Sequence, residues 1–286
     1  MATLKEVKQR IQSIRNTQKI TKAMKIVAAT KLTVHERSKK QAELFSAKVE
    51  SLLQNIVQYS YHAEHPLLSE RRTVGTGGIV IIGSDRGLCG SFNANLFRKT
   101  LEYIKEQKQC ARIMVVPLGK KAYKFFKKTG HTILFYEIDI EKQDRRLFAR
   151  KIAEQLIKSY LEGTINQWCV ISNRFTSRAN FGFSHDVLIP VTMAKEAQRS
   201  ECLYIFEDDI TMVLDYLLPF YLADLISKYI IESQTAEEFS RMMAMDYATE
   251  NAEELIGELT LFYNRTRQQV ITKEISEIVA GAEALR

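Results

Sequence analysis

The sequence predicts an α/β protein of a particular build: a long antiparallel coiled coil of N- and C-terminal helices with an inserted Rossmann-like α/β domain. Three observations lead there. Residues 1–65 contain neither proline nor glycine, and the 67 residues after Pro219 contain no further proline. Between these ends, short apolar runs of strand length alternate with amphipathic segments of helix length. The ends also carry opposite charge. Residues 1–40 hold eleven Lys/Arg and two Glu, a net +9, whereas residues 232–258 hold Arg241 and eight Asp/Glu, a net −7.

The N-terminal segment, residues 1–60, reads as one helix. Leu4, Val7, Ile11 and Ile14 form an apolar stripe, "NTQK" at Asn16–Lys19 interrupts it, and Ile20, Met24, Val27, Leu32, Leu44, Leu52 and Ile56 resume it. The α/β domain, residues 73–206, opens on "GGIVIIG", a short buried strand bounded by glycine. "FNANLFRKTLEYIKEQ", "KKAYKFFKKTG" and "DRRLFARKIAEQLIKSYLEG" read as helices. "ARIMVVPLG", "HTILFYEI", "QWCVISN", "HDVLIPVT" and "CLYIFED" read as strands. Repeated βα units imply a partly parallel sheet with helices on its faces. The C-terminal segment, residues 208–286, is helical again, with Pro219 marking a kink or an early break. Helices this long need a packing partner, and opposite charge makes the two ends partners. Aligning the charged segments centre to centre pairs residues whose numbers sum to roughly 265. Met24 then faces Arg241, Met1 faces Asn264, and the chain beyond about Arg265 overhangs as a single helix.

That overhang has its own pattern. Ile271, Ile275, Ile278, Ala282 and Leu285 step by four and three, which is a heptad seam, while Asn264 and Gln268 place polar groups in the same register. Such polar positions cost stability and set register, and they can face another protein.

Composition excludes several classes. Met1–Arg10 has no apolar signal core, and there is no run of about 18 uncharged apolar residues. The nearest, "MVLDYLLPFYLADLISKYII", carries Asp215, Asp224 and Lys228 and reads as a helix buried against protein. Cysteines at 89, 110, 169 and 202 form no CxxC pair and are expected to be free thiols. No phosphate-binding GxxxxGK[ST] motif occurs, and the second strand ends "VVPLGKK" without the carboxylate a ribose would need. The histidines at 35, 62, 65, 131 and 185 are scattered, with no HExxH. Asp85 is the best single acid, and its simplest role is a structural ion pair with Arg86. No catalytic, cofactor or metal site is expected. A nucleotide-dependent α/β enzyme with a coiled-coil dimerisation arm is the alternative reading, and a basic coiled coil binding nucleic acid a third.

Three stretches in order, "NTQKITKAMKIVAATKL", "SDRGLCGSFN" and "ITKEISEIVAGAEAL", resemble the gamma subunits of rotary F-type ATP synthases. The extra cysteine-bearing insert of the chloroplast form is absent. The resemblance implies a non-catalytic rotor shaft. Its paired helices stand inside a hexamer of alpha and beta subunits, and its α/β domain, with the epsilon subunit, rests on the c-subunit ring. Proton or sodium flow turns the whole, at the cytoplasmic face of the bacterial inner membrane. Carried over by motif, the beta-subunit contacts are Met24, Arg241, Arg267, Gln268, Thr272 and Glu274. The c-ring foot includes Tyr204, Phe206 and Glu207. No cofactor and no nucleic acid are implied.

Overall fold

The computed structural model describes residues 4–59, 65–69, 75–107, 110, 112–177, 180–192 and 209–284. The chain forms two compact units: one joins the chain up to Thr30 with the chain from Arg241 onward, and the other spans Lys31–Ser240. The division falls within both long helices, α1 (Leu4–Tyr59) and α5 (Ile210–Ala284), because Val49, Leu53 and Ile56 of α1 and Leu214, Leu218 and Leu222 of α5 belong to the core of the sheet-bearing unit.

That unit is built on a five-stranded sheet. Its strands are β1 (Thr76–Ile82), β2 (Arg112–Leu118), β3 (Thr132–Ile133), β4 (Gln167–Ser177) and β5 (Asn180–Ile189), in the order β3-β2-β1-β4-β5. β1 is parallel to β2 and β4, β2 is parallel to β3, and β5 runs antiparallel to β4. The glycine-bounded run becomes β1 because alternate residues serve two different cores. Ile79 and Ile81 pack with Leu96, Phe97 and Phe126 under α2 (Phe92–Glu106) and α3 (Lys120–Lys128). Val80 and Ile82 pack on the opposite face with Ile152, Leu156 and Trp168 against α4 (Arg145–Leu161). Gly78 leaves space for Trp168, since a Cβ there would lie 2.4 Å from the indole. The indole nitrogen in turn donates to the Leu156 carbonyl at 3.1 Å.

Two expectations change. "HTILFYEI" forms only a two-residue strand with one further bridge at Glu137. Pro219 lies within an uninterrupted α5, where buried Leu214, Leu218 and Leu222 hold the turns on either side of the lost amide. "CLYIFED" and Cys202 lie outside the described residues, while Cys89, Cys110 and Cys169 are free thiols.

In the other unit α1 and α5 run antiparallel. The Thr21 hydroxyl meets the Thr249 hydroxyl at 2.8 Å, and Lys25 pairs with Asp246, so partners sum to 270 and 271. The charge-centred register of 265 is corrected by about a turn and a half. Individual pairs, not segment centres, decide the alignment. On this count Met24 stands at the level of Asp246 and Tyr247 instead of Arg241.

Candidate functional site

Two places could carry function: the crevice at the carboxyl ends of the parallel strands, and the free length of α5. In a doubly wound sheet the crevice forms where the strand order reverses, here between β1 and β4. This crevice is filled from within. Ser233 of α5 donates to the Ile82 carbonyl at 3.2 Å, and Ser240 donates to the Cys89 carbonyl at 2.7 Å. Asn173 reaches the Phe92 carbonyl at the start of α2. The chain's own helix thus lies where a nucleotide would enter.

The amides that could hold a phosphate are also committed. The Asp85 carboxylate accepts from the backbone N–H of Lys120 at 2.9 Å, Asp139 at 3.0 Å and Ile140 at 2.8 Å. It caps α3 and the single 3-10 turn Ile140–Lys142, with Asp139 in the left-handed region at φ 57°. The expected Asp85–Arg86 ion pair is corrected: Arg86 reaches Glu141 instead, at 3.5 Å. Asp85 stabilises structure, as the simpler reading had it, but through backbone amides of two distant turns. A cluster of Glu141, Glu237 and Glu238 has its counter-charge in Lys31, whose ammonium lies 3.1 Å from Glu141 and 3.5 Å from Glu238. His65 pairs with Asp215, His131 with Thr129, and the His185 ring packs on Tyr103. No nucleophile–base pair is assembled among the described residues; His62 lies outside them.

The second place begins with the seam of the helix pair. In α1 the residues turned inward are Val7, Ile11, Ile14, Gln18, Thr21, Lys25 and Ala28, an unbroken alternation of four and three. The count continues in the sheet-bearing unit through Leu32, His35, Lys39, Ala42, Ser46, Val49, Leu53 and Ile56. "NTQK" is therefore no break in the seam, because Gln18 sits within it. Ile20, Val27, Leu44 and Leu52, expected on the stripe, are exposed. In α5 the inward residues are Met245, Thr249, Ala252, Ile256, Leu259, Tyr263 and Thr266, on the same alternation.

Beyond Thr266 every described α5 side chain is exposed. The heptad of Ile271, Ile275 and Ile278 falls two residues out of phase with the inward face, about 150° around the helix. Asn264 and Gln268 belong to this second face, so they interrupt nothing between α1 and α5. Arg267, Gln268, Thr272 and Glu274 are exposed on this free length. Met24 is half-buried at the helix pair. Arg241 differs: it is only 6% exposed and already has an interaction within the chain. Tyr204, Phe206 and Glu207 lie outside the described residues. Sequence reading missed Leu88, a non-glycine residue at φ 63° with 63% of its surface exposed; no local pattern signals such a position.

A family profile described as ATP synthase matches residues 3–285. The ATP synthase gamma chain of Prosthecochloris aestuarii is 38% identical over 100% of this chain and 99% of its own length. That of Chlorobium phaeobacteroides is 40% identical with the same coverage. This chain belongs to the ATP synthase gamma family. The gamma fold recurs in solved structures. The central stalk of the Tetrahymena thermophila mitochondrial ATP synthase, determined with its c-ring, aligns at a TM-score of 0.62 and 25% identity, covering 80% of this chain and 99% of that one. A Euglena gracilis mitochondrial ATP synthase chain aligns at 0.68 and 16% identity, covering 99% of this chain and 94% of that one. As a gamma-family member the chain is a central-stalk subunit of a membrane-associated rotary ATP synthase, and the dimerising-enzyme alternative is not favoured.

Proposed function

We propose that this chain is the non-catalytic rotor shaft that couples ion-driven rotation of a membrane c ring to nucleotide turnover in the beta subunits. The observation that supports it best is the free length of α5. A helix with an apolar heptad exposed on a face that α1 does not use is stable only inside a surrounding partner. A hexamer of alpha and beta subunits is such a sleeve. Met24, Arg267, Gln268, Thr272 and Glu274 are the proposed contacts to the beta subunits. Arg241 is the sixth proposed contact and, at 6% exposed, the least accessible of them in the isolated chain. The foot on the c ring is proposed to include Tyr204, Phe206 and Glu207, with the epsilon subunit beside the α/β domain. The assembly is placed at the cytoplasmic face of the bacterial inner membrane.

The crevice filled by Ser233 and Ser240, and the amides filled by Asp85, support a subunit without chemistry of its own. The test is affinity purification of the tagged chain from native membranes. Alpha, beta, epsilon and c subunits should co-purify in fixed stoichiometry. A chain recovered as a homodimer, or one that hydrolyses ATP alone, would overturn the proposal.

A further inference from the structure

The sheet-bearing unit has a groove of about 880 Å³ between α1, α4 and α5 that its own chain does not fill. Its walls carry four large apolar side chains that are about half or more exposed: Phe45, Leu147, Tyr216 and Phe220. The Phe45 and Phe220 rings meet edge to face at 6.1 Å, so the floor is already ordered. A contiguous exposed apolar patch of this kind marks an interaction site.

Charge at the groove narrows the occupant. Each carboxylate in its lining is already partnered: Glu154 with Arg150, Asp215 with His65, and Asp224 with Ser46. The guanidinium of Arg145 is not. It is half-buried, donates one bond to the Ser227 hydroxyl at 3.2 Å, and has no carboxylate within ion-pair distance among the described residues. Arg146 beside it is exposed and likewise forms no ion pair among the described residues. Burial and the neighbouring Arg146 weigh against the charge on Arg145, and the adjacent Asp144 carboxylate offsets them only in part. A half-buried cation lacking its anion leaves desolvation uncompensated, and an incoming carboxylate would relieve it.

We propose that this groove is a docking site for a partner protein that inserts an apolar ridge and sets a carboxylate against Arg145 and Arg146. The inference rests on the reading of the chain as a subunit of a larger complex. It concerns a surface apart from the free length of α5. A protein fits better than a small amphiphile because the apolar side chains rise to an open rim, with Tyr216 80% exposed.

The experiment uses the assembled complex. A photo-crosslinking residue replaces Tyr216 in the full chain, and the complex is purified after irradiation. The expected product joins Tyr216 to a peptide of another subunit that carries Asp or Glu among apolar residues. The paired substitutions Arg145→Glu and Arg146→Glu should weaken retention of that subunit about thirtyfold or more, while the Lys pair at the same positions retains it. Reversing the crosslinked carboxylate to Lys should restore retention in the Glu pair. Circular dichroism checks folding, and should the Glu pair unfold, Tyr216→Glu provides the same readout. A crosslink only to lipid, a crosslinked peptide without a carboxylate, or unchanged retention in the Glu pair overturns the proposal. Loss of the alpha and beta subunits from the wild-type complex would instead overturn the central-stalk reading, so the two failures are distinct.

Discussion

The hydroxyl oxygens of Thr21 and Thr249 lie 2.8 Å apart across the helix pair, although 228 residues separate them in the chain. Thr21 is buried, and one hydroxyl must donate to the other. The hydroxyl that accepts keeps its own proton for its helix backbone, Thr249 for the Met245 carbonyl or Thr21 for the Gln18 carbonyl, so the pair is anchored to the main chain as well. A polar pair at one level of an otherwise sliding seam sets register. Thr21→Val keeps the shape and removes the bond, and should cost about 1 kcal/mol of stability. Thr17→Val removes only an exposed hydroxyl bonded within its own helix and should change stability by less than about 0.5 kcal/mol. Chemical denaturation of the two variants checks this; equal losses would deny the pair its role.

A pH dependence follows from His35. It lies on the inward side of α1 in the sheet-bearing unit, and burial lowers its pKa below the ordinary 6.5, with Lys31 and Arg145 adding to the fall against Glu238 and Glu141. The folded state therefore binds this proton more weakly than the unfolded state does. The stability that goes with neutral His35 is complete above about pH 6.5 and is lost as pH falls from there through the lower, folded value. Unfolding midpoints should decline between pH 7 and pH 5, and His35→Gln should flatten part of that decline. An unchanged slope in the variant would assign the decline to other groups.

Asp85 gives a third expectation. Removing its carboxylate leaves the amides of Lys120, Asp139 and Ile140 without their acceptor. Asp85→Ala should lower stability by about 1–3 kcal/mol, the usual cost of stranded donors reduced by solvent at a half-exposed site. Neither the wild type nor the variant should hydrolyse ATP as an isolated chain. Turnover by the wild type that the substitution abolishes would restore the enzyme reading.

The elements were legible where one physical pattern ruled. β1, β2, α2, α3 and α4 follow from glycine boundaries and apolar period, and the two long helices from the lack of proline. The seam of α1 was not legible from apolar residues, because its middle consists of Gln18, Thr21, Lys25, His35, Lys39 and Ser46. Such a seam is stabilised by complementary groups on the partner, Asp246, Thr249 and Asp224 among them, which local reading cannot supply. Exposed Ile20, Val27 and Leu44 then drew the apparent stripe onto the outer face. Charge gave the antiparallel pairing but not its register. The groove lined by Phe45, Leu147, Tyr216 and Phe220 joins three segments distant in sequence, so no local motif announces it.

The final prediction separates stability from assembly on the free length of α5. Arg267 and Gln268 are exposed, and the pair forms no seam with α1, whose first described residue, Leu4, stands level with Thr266 on a register of 270. Replacing both with Ala should leave the isolated chain's unfolding midpoint unchanged, since Ala also suits a helix. A charge-assisted hydrogen bond to a partner is worth about 1.5–3 kcal/mol. The same double substitution should therefore weaken assembly with alpha and beta subunits, or lower ATP synthesis per assembled complex. Ile275→Asp isolates the apolar part: Ile275 is already more than half exposed, so the lone chain should tolerate the charge, whereas an apolar sleeve around it should not. If both variants assemble and synthesise ATP as the wild type does, this length of α5 is not the surface that the beta subunits read. If either variant destabilises the isolated chain, the helix is packed against something within its own chain, and the register drawn from Thr21 and Thr249 is wrong.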